Sequence, residues 1–130
     1  MDEKQENDFT KLEIWKQSHQ LMLDIYELCK LMPAEEKYIT TDQIKRSSSS
    51  VPANISEGHG RFYYQDNISF CRKARGSLDE TRNHLIKIRD LNFIESRRCN
   101  ELLKRYLDIR KMINGYIRYL NNKKPGSPSS

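Results

Sequence analysis

Turn-forming residues are scarce in this chain of 130, which has five glycines and four prolines. Pro125, Gly126 and Pro128 fall in its last ten residues. An all-β fold needs a turn signal roughly every 8–12 residues and is excluded. Long apolar runs are absent too. Nothing approaches the ~18–20 consecutive apolar residues of a membrane span, and Met1 to Asp8 is acidic where a secretion signal is basic and then apolar. No membrane partner and a cytoplasmic location are expected. Cysteines number three, an odd count, with no Cys-x-x-Cys, no His-x-x-x-His and no His-Glu-x-x-His among them and the three histidines. Neither disulfides nor a metal site are expected, and Cys29, Cys71 and Cys99 lie on apolar stripes as reduced core thiols. The Gly58 to Arg61 turn lacks the Gly-Lys-Ser/Thr ending of a phosphate loop, so no nucleotide or other cofactor is expected. What the chain has in abundance is charge, 32% of its residues, with 23 Lys and Arg against 18 Asp and Glu for a net +5.

Apolar residues recur at three- and four-residue spacing along four stretches. The first runs from about Lys11 to Met32 and stops at Pro33. The second starts behind Thr40, Thr41 or Asp42 as N-cap and passes through Ile44, Val51 and Ile55 to about Gly58. Pro52 inside it predicts a kink, and the small side chains of Ser47 to Ser50 predict a close-packed seam. The third, about Asp66 to Leu91, carries Ile68, Cys71, Leu78, Thr81, Leu85 and Ile88. Gly76 in its middle predicts a point where a second backbone comes too near for a Cβ. The fourth, from Glu95 or Ser96 to about Leu120, carries Cys99, Leu102, Tyr106, Ile109, Ile113 and Tyr116. A chain of this length forms one core, burying roughly two thirds of the surface its unfolded state exposes. The expected organisation is a disordered acidic arm over 1–9, an all-α antiparallel up-and-down four-helix bundle over 10–120, and a disordered tail over 121–130.

The second helix and its exit contain Ser50-Val51-Pro52-Ala53-Asn54-Ile55-Ser56-Glu57-Gly58, and the third contains Gly76-Ser77-Leu78-Asp79-Glu80. In that order, and with the opening Phe9 to Trp15 stretch and the Pro33 to Tyr38 loop, these strings resemble the four-helix bundle proteins encoded in intervening sequences of bacterial 23S rRNA genes. That family is similar in turn to the accessory variability determinant of diversity-generating retroelements. The resemblance implies a homopentamer without a catalytic residue and with a nucleic-acid-binding role, and it suggests a reverse transcriptase as a possible partner. The chain departs from the family pattern in Lys45-Arg46-Ser47, where a second arginine and an alanine are common, and in Thr81-Arg82-Asn83, where an acid often follows Glu80. A structural role is expected for Ser50, Pro52, Asn54, Glu57, Gly58, Gly76, Ser77 and Glu80. Asn54, Glu57 and the Ser77 hydroxyl would satisfy backbone groups freed at Pro52, and Glu57 and Glu80 would pair with Arg46, Arg61 or Arg82.

Residues 97 to 124 hold Arg97, Arg98, Lys104, Arg105, Arg110, Lys111, Arg118, Lys123 and Lys124 against Glu101 and Asp108, which makes the fourth helix a basic rod. Arg72, Lys73, Arg75, Arg82, Lys87 and Arg89 form a second basic group on the third helix. Arg97, Lys104, Arg105 and Lys111, spaced by about seven, are expected on one outward face. Such faces, repeated in an oligomer, fit the phosphate backbone of RNA or DNA. An adaptor recognising an acidic protein is the alternative, and a hydrolase using Glu57 and His59 is a third reading that lacks an activated nucleophile. Phe62, Tyr63 and Tyr64 behind Arg61 are expected to plug the bundle end or a subunit junction, with stacking on unpaired bases the competing reading.

Overall fold

The computed structural model describes residues 9–123. Four helices make up most of it: α1 (Glu13–Cys29), α2 (Asp42–His59), α3 (Tyr64–Asp90) and α4 (Ser96–Asn121). The described residues contain no strand. Residues 1–8 of the expected arm and 124–130 of the expected tail lie outside the described residues. Phe9 opens a short 3-10 turn, and its ring meets the edge of Trp15 at 5.3 Å.

Each helix joins its sequence neighbours, and α4 returns to pack on α1. The cross-helix bonds give the direction. Arg75 reaches Asn114, Asp79 reaches Arg110 and Arg89 reaches Asn100, so residue numbers fall on α4 as they rise on α3. This is the antiparallel up-and-down bundle that the periodicity predicts.

The core follows the four stripes. Leu21, Ile25 and Leu28 of α1 meet Ile44, Val51 and Ile55 of α2. Ile68, Leu78, Leu85 and Ile88 of α3 meet Tyr106, Ile109 and Ile113 of α4, all 1% exposed or less. Burying a side chain of this size contributes about 1.5–3 kcal/mol. Most of the ion pairs join residues three or four apart on one helix surface, where each is worth well under ~1 kcal/mol. Apolar burial therefore holds the bundle together. Cys29, Cys71 and Cys99 are free and buried, and burial pushes the Cys71 thiol up to about 11.

The helix ends depart from expectation for local reasons. α1 stops at Cys29, because the amides of Lys30, Leu31 and Met32 bond carbonyls three residues back and tighten the chain ahead of Pro33. None of Thr40, Thr41 and Asp42 caps α2. A π-helical turn over Lys37–Thr41 runs straight into it, and the Thr40 hydroxyl donates instead to Glu36 at 2.7 Å. α3 ends in a Schellman motif with Asn92 in the left-handed region at φ 59°. There the amides of Phe93 and Asn92 reach back to Ile88 and Arg89.

α2 runs unbroken through Pro52, which is buried. Ser47 and Ser48 are buried as the small-residue run predicts, and the polar tie across the α2–α3 seam is Thr81 Oγ1 to Ser47 Oγ at 2.8 Å. Both partners lie in the two strings at which the family resemblance breaks down. Asn54 does not cross the seam: it donates to the Ser50 carbonyl of its own helix. At Ser77 the carbonyl takes the Thr81 hydroxyl, again within one helix. Gly76 is the clearest correction. It is exposed, and a Cβ there would meet nothing within 4 Å. The close approach is at Gly58, where a Cβ would lie 2.8 Å from Asn67 Oδ1 and from Phe70 Cβ of α3.

Candidate nucleic-acid interface

The thirteen cations singled out in the sequence separate into two groups. One group is tied inward. Arg110 of α4 grips Asp79 of α3 with three hydrogen bonds of 2.9–3.3 Å, and Arg82 reaches the same carboxylate at 3.1 Å. The Arg110 hydrogen bonds, more than the neighbouring charges, hold the Asp79 carboxyl below its usual value against the opposing effect of burial. Arg75 donates to Asn114 at 2.8 Å, and Arg89 to Asp90 and Asn100 at 2.9 Å each. Arg105 is the one member of the expected outward row that the structure removes from it. It turns to α1 and pairs with Asp24 at 2.8 Å, because residue 105 lies about 100° round the helix from 104, on the side where α1 packs.

The second group faces out. Arg97, Lys104, Lys111 and Arg118 are all exposed and recur every seventh residue along α4. Adjacent members stand roughly 10 Å apart at ~1.5 Å per residue. Arg98 is exposed beside them, and Arg72 and Lys73 are exposed on α3. Lys87 is half-buried. Glu101 and Asp108 are exposed on α4 between the cations, so the row is cationic with two acidic interruptions.

A groove of about 570 Å³ lies between α1 and α4, lined by Asp24, Glu27, Glu95, Arg97, Arg98, Glu101, Leu102 and Arg105. Four acids against three arginines give it no anion-attracting field. Arg97 stands where the row meets the groove, and the row that continues from it along α4, not the groove, is the surface suited to a polyanion.

The motif acids stay local. Glu57 is exposed and meets Arg61 at 3.5 Å, one of the expected pairings, and Glu80 lies 3.5 Å from His84. Arg46 pairs with Asp42, not with Glu57 or Glu80. Among the described residues no group of three His, Cys, Asp or Glu side chains is placed to hold a metal ion. None of the described helices is long and apolar enough to cross a membrane.

Of the aromatic segment, only Tyr64 packs against the bundle core. Phe62 and Tyr63 are 62% and 49% exposed, with ring centroids 4.8 Å apart, edge to face. Sequence reasoning missed their surroundings. Phe70 is flanked by Arg61 at 4.7 Å and Lys73 at 4.5 Å, and Tyr119 at the end of α4 lies under Lys123 at 4.3 Å. Only the antiparallel register brings the start of α3 to the end of α4, where Asn67 meets the Tyr116 hydroxyl at 3.3 Å.

Fold and surface together define a small helical-bundle protein with an outward cationic row. The chain belongs to the family described as 23S rRNA-intervening sequence protein, whose profile matches residues 10–115. A solved structure from Bacteroides thetaiotaomicron, a protein of unknown function of the S23 ribosomal protein family, is similar in fold. It is 24% identical with a TM-score of 0.76, over 81% of this chain and 98% of that one. No curated protein matches.

Proposed function

We propose that this protein is a non-enzymatic, self-assembling bundle module that binds the phosphate backbone of RNA or DNA through the outward cations of α4, supported by Arg72 and Lys73 of α3. The observation that carries this reading is the row Arg97, Lys104, Lys111 and Arg118, exposed at every position while neighbouring arginines are drawn into internal pairs. Cations kept off internal partners keep their full attraction for phosphates and release condensed counterions when they bind. Self-assembly, in five copies as the family resemblance implies, multiplies the row. Leu23, Tyr26, Leu31, Tyr38 and Ile39 are 40–83% exposed on α1, its exit and the π-helical turn, and supply apolar surface for a sister copy. A nucleic-acid enzyme such as a reverse transcriptase would be a partner beside the same bound strand.

Binding is then largely independent of sequence and falls steeply with salt. Titration of a labelled RNA across a salt series tests this. The double substitution Lys104→Glu, Lys111→Glu should weaken binding for all sequences alike and flatten the logarithmic salt dependence by about one unit for each phosphate released, with helicity unchanged. Salt-insensitive binding would overturn the reading. A protein partner that copurifies after nuclease treatment would instead favour the adaptor for acidic proteins.

A further inference from the structure

We propose that the end of the bundle where α2 turns into α3 is a second ligand site, one that takes unpaired bases of a single nucleic-acid strand. It rests on the phosphate-binding reading above and adds to it a preference for strands that are not base-paired.

The site is built from three helix ends. Phe62 and Tyr63 stand in the α2–α3 connection with large parts of their rings in water, and Tyr119 on the last turn of α4 is 54% exposed. The start of α3 meets the end of α4 here: Asn67 donates to the Tyr116 hydroxyl at 3.3 Å, and the Tyr116 ring stacks with that of Tyr119 at 6.1 Å. Rings that served only the bundle would be covered by it, as Tyr106 is at 0%. Cations stand at both sides of the site: Arg61 and Lys73 flank Phe70, and Lys123 lies over Tyr119.

Flat, exposed rings bordered by cations match the two halves of an unpaired nucleotide, a π-face and a phosphate. A duplex presents only the phosphates, because its bases are stacked on one another. Tyr26 and Tyr38 are also exposed beside Lys45 and Lys37, but neither meets a second ring among the described residues, whereas Phe62 and Tyr63 stand together. Gly58 lets the last turn of α2 close on Asn67 and Phe70 of α3, beside the connection that carries the rings.

The full chain is titrated with a uridine strand, the matching thymidine strand and a duplex of the same length, each labelled, with 2-aminopurine within the single strands. Phe62→Ala with Tyr63→Ala should weaken both single strands roughly tenfold or more, change duplex affinity less than twofold, and abolish the quenching of 2-aminopurine seen with the native protein. Phe62→Tyr with Tyr63→Phe keeps both rings and should bind as the native protein does. Equal weakening for strand and duplex, or none for either, overturns this site alone. So does a change of sedimentation in the alanine variant, which would make the rings a junction between copies. A native protein that binds neither strand nor duplex overturns the cationic reading and this site with it.

Discussion

Glycines 58 and 76 have opposite surroundings, so replacing each should have opposite effects. A methyl group at 58 would collide with Asn67 and Phe70, and the Phe70 Cβ cannot swing away, whereas at 76 it would enter open space. Gly58→Ala should therefore cost about 1–3 kcal/mol as an overpacked position. Gly76→Ala should stabilise α3 by about 0.5–1 kcal/mol, because an exposed helical glycine gives up more chain entropy than alanine. Denaturant unfolding of the two variants checks both, and a loss of stability in Gly76→Ala would restore the close approach expected from the sequence. The exposure of Gly76 was legible, since the stripe through Ala74 and Leu78 leaves position 76 on the opposite side. Its small size misled, because a missing side chain permits a close neighbour without requiring one. The approach at Gly58 was not legible, for it depends on which residues of α3 stand opposite the last turn of α2. Asn92 was missed for a related reason: a helix stop with a left-handed residue usually announces itself by glycine, and here asparagine fills the position.

Few polar contacts tie one helix to another, and among those between α3 and α4 the Asp79–Arg110 pair is sensitive to pH. Asp79 is held below its ordinary pKa mainly by the Arg110 hydrogen bonds, with Arg82 assisting. A carboxyl depressed in the folded protein stabilises fully above its unfolded value, near ~4, and loses that contribution as pH falls through the folded value. Water screens the pair, whose side chains are 35% and 40% exposed. Asp79→Asn should thus cost no more than about 1 kcal/mol at neutral pH and nothing once the native carboxyl is protonated. Unfolding free energies of the two proteins, measured from neutral pH down to about pH 2.5, should converge, and a gap that persists at the acid end would show that packing, not charge, was disturbed. The α2–α3 tie was partly legible. The small residues at 47 and 48 marked the seam, and Ser47 and Thr81 lay in the two strings that depart from the family pattern. That these two residues bond to each other depends on the register of the two helices, which periodicity does not set.

At the scale of the whole molecule the sequence was most informative about the bundle and least about its surface. Four amphipathic stripes with few turn residues between them leave little choice but an up-and-down arrangement, and the core positions follow from the spacing. Which cations face water did not follow, because Arg105 and Arg110 carry the same charge as Lys104 and Lys111 and differ in having Asp24 and Asp79 within reach. Assembly makes its own prediction. Leu23→Glu places a charge on exposed apolar surface of α1 and should shift the sedimenting species to a smaller size with helicity intact, whereas an unchanged size would put the junction between copies elsewhere. The seven-residue spacing of Arg97, Lys104, Lys111 and Arg118 carries a geometric consequence of its own. Seven residues fall about 20° short of two full turns of a straight α-helix. The four charges therefore spiral gently around α4, and a strand touching all of them has to cross its axis obliquely, so that the handedness of the helix sets the direction in which the strand leaves each subunit.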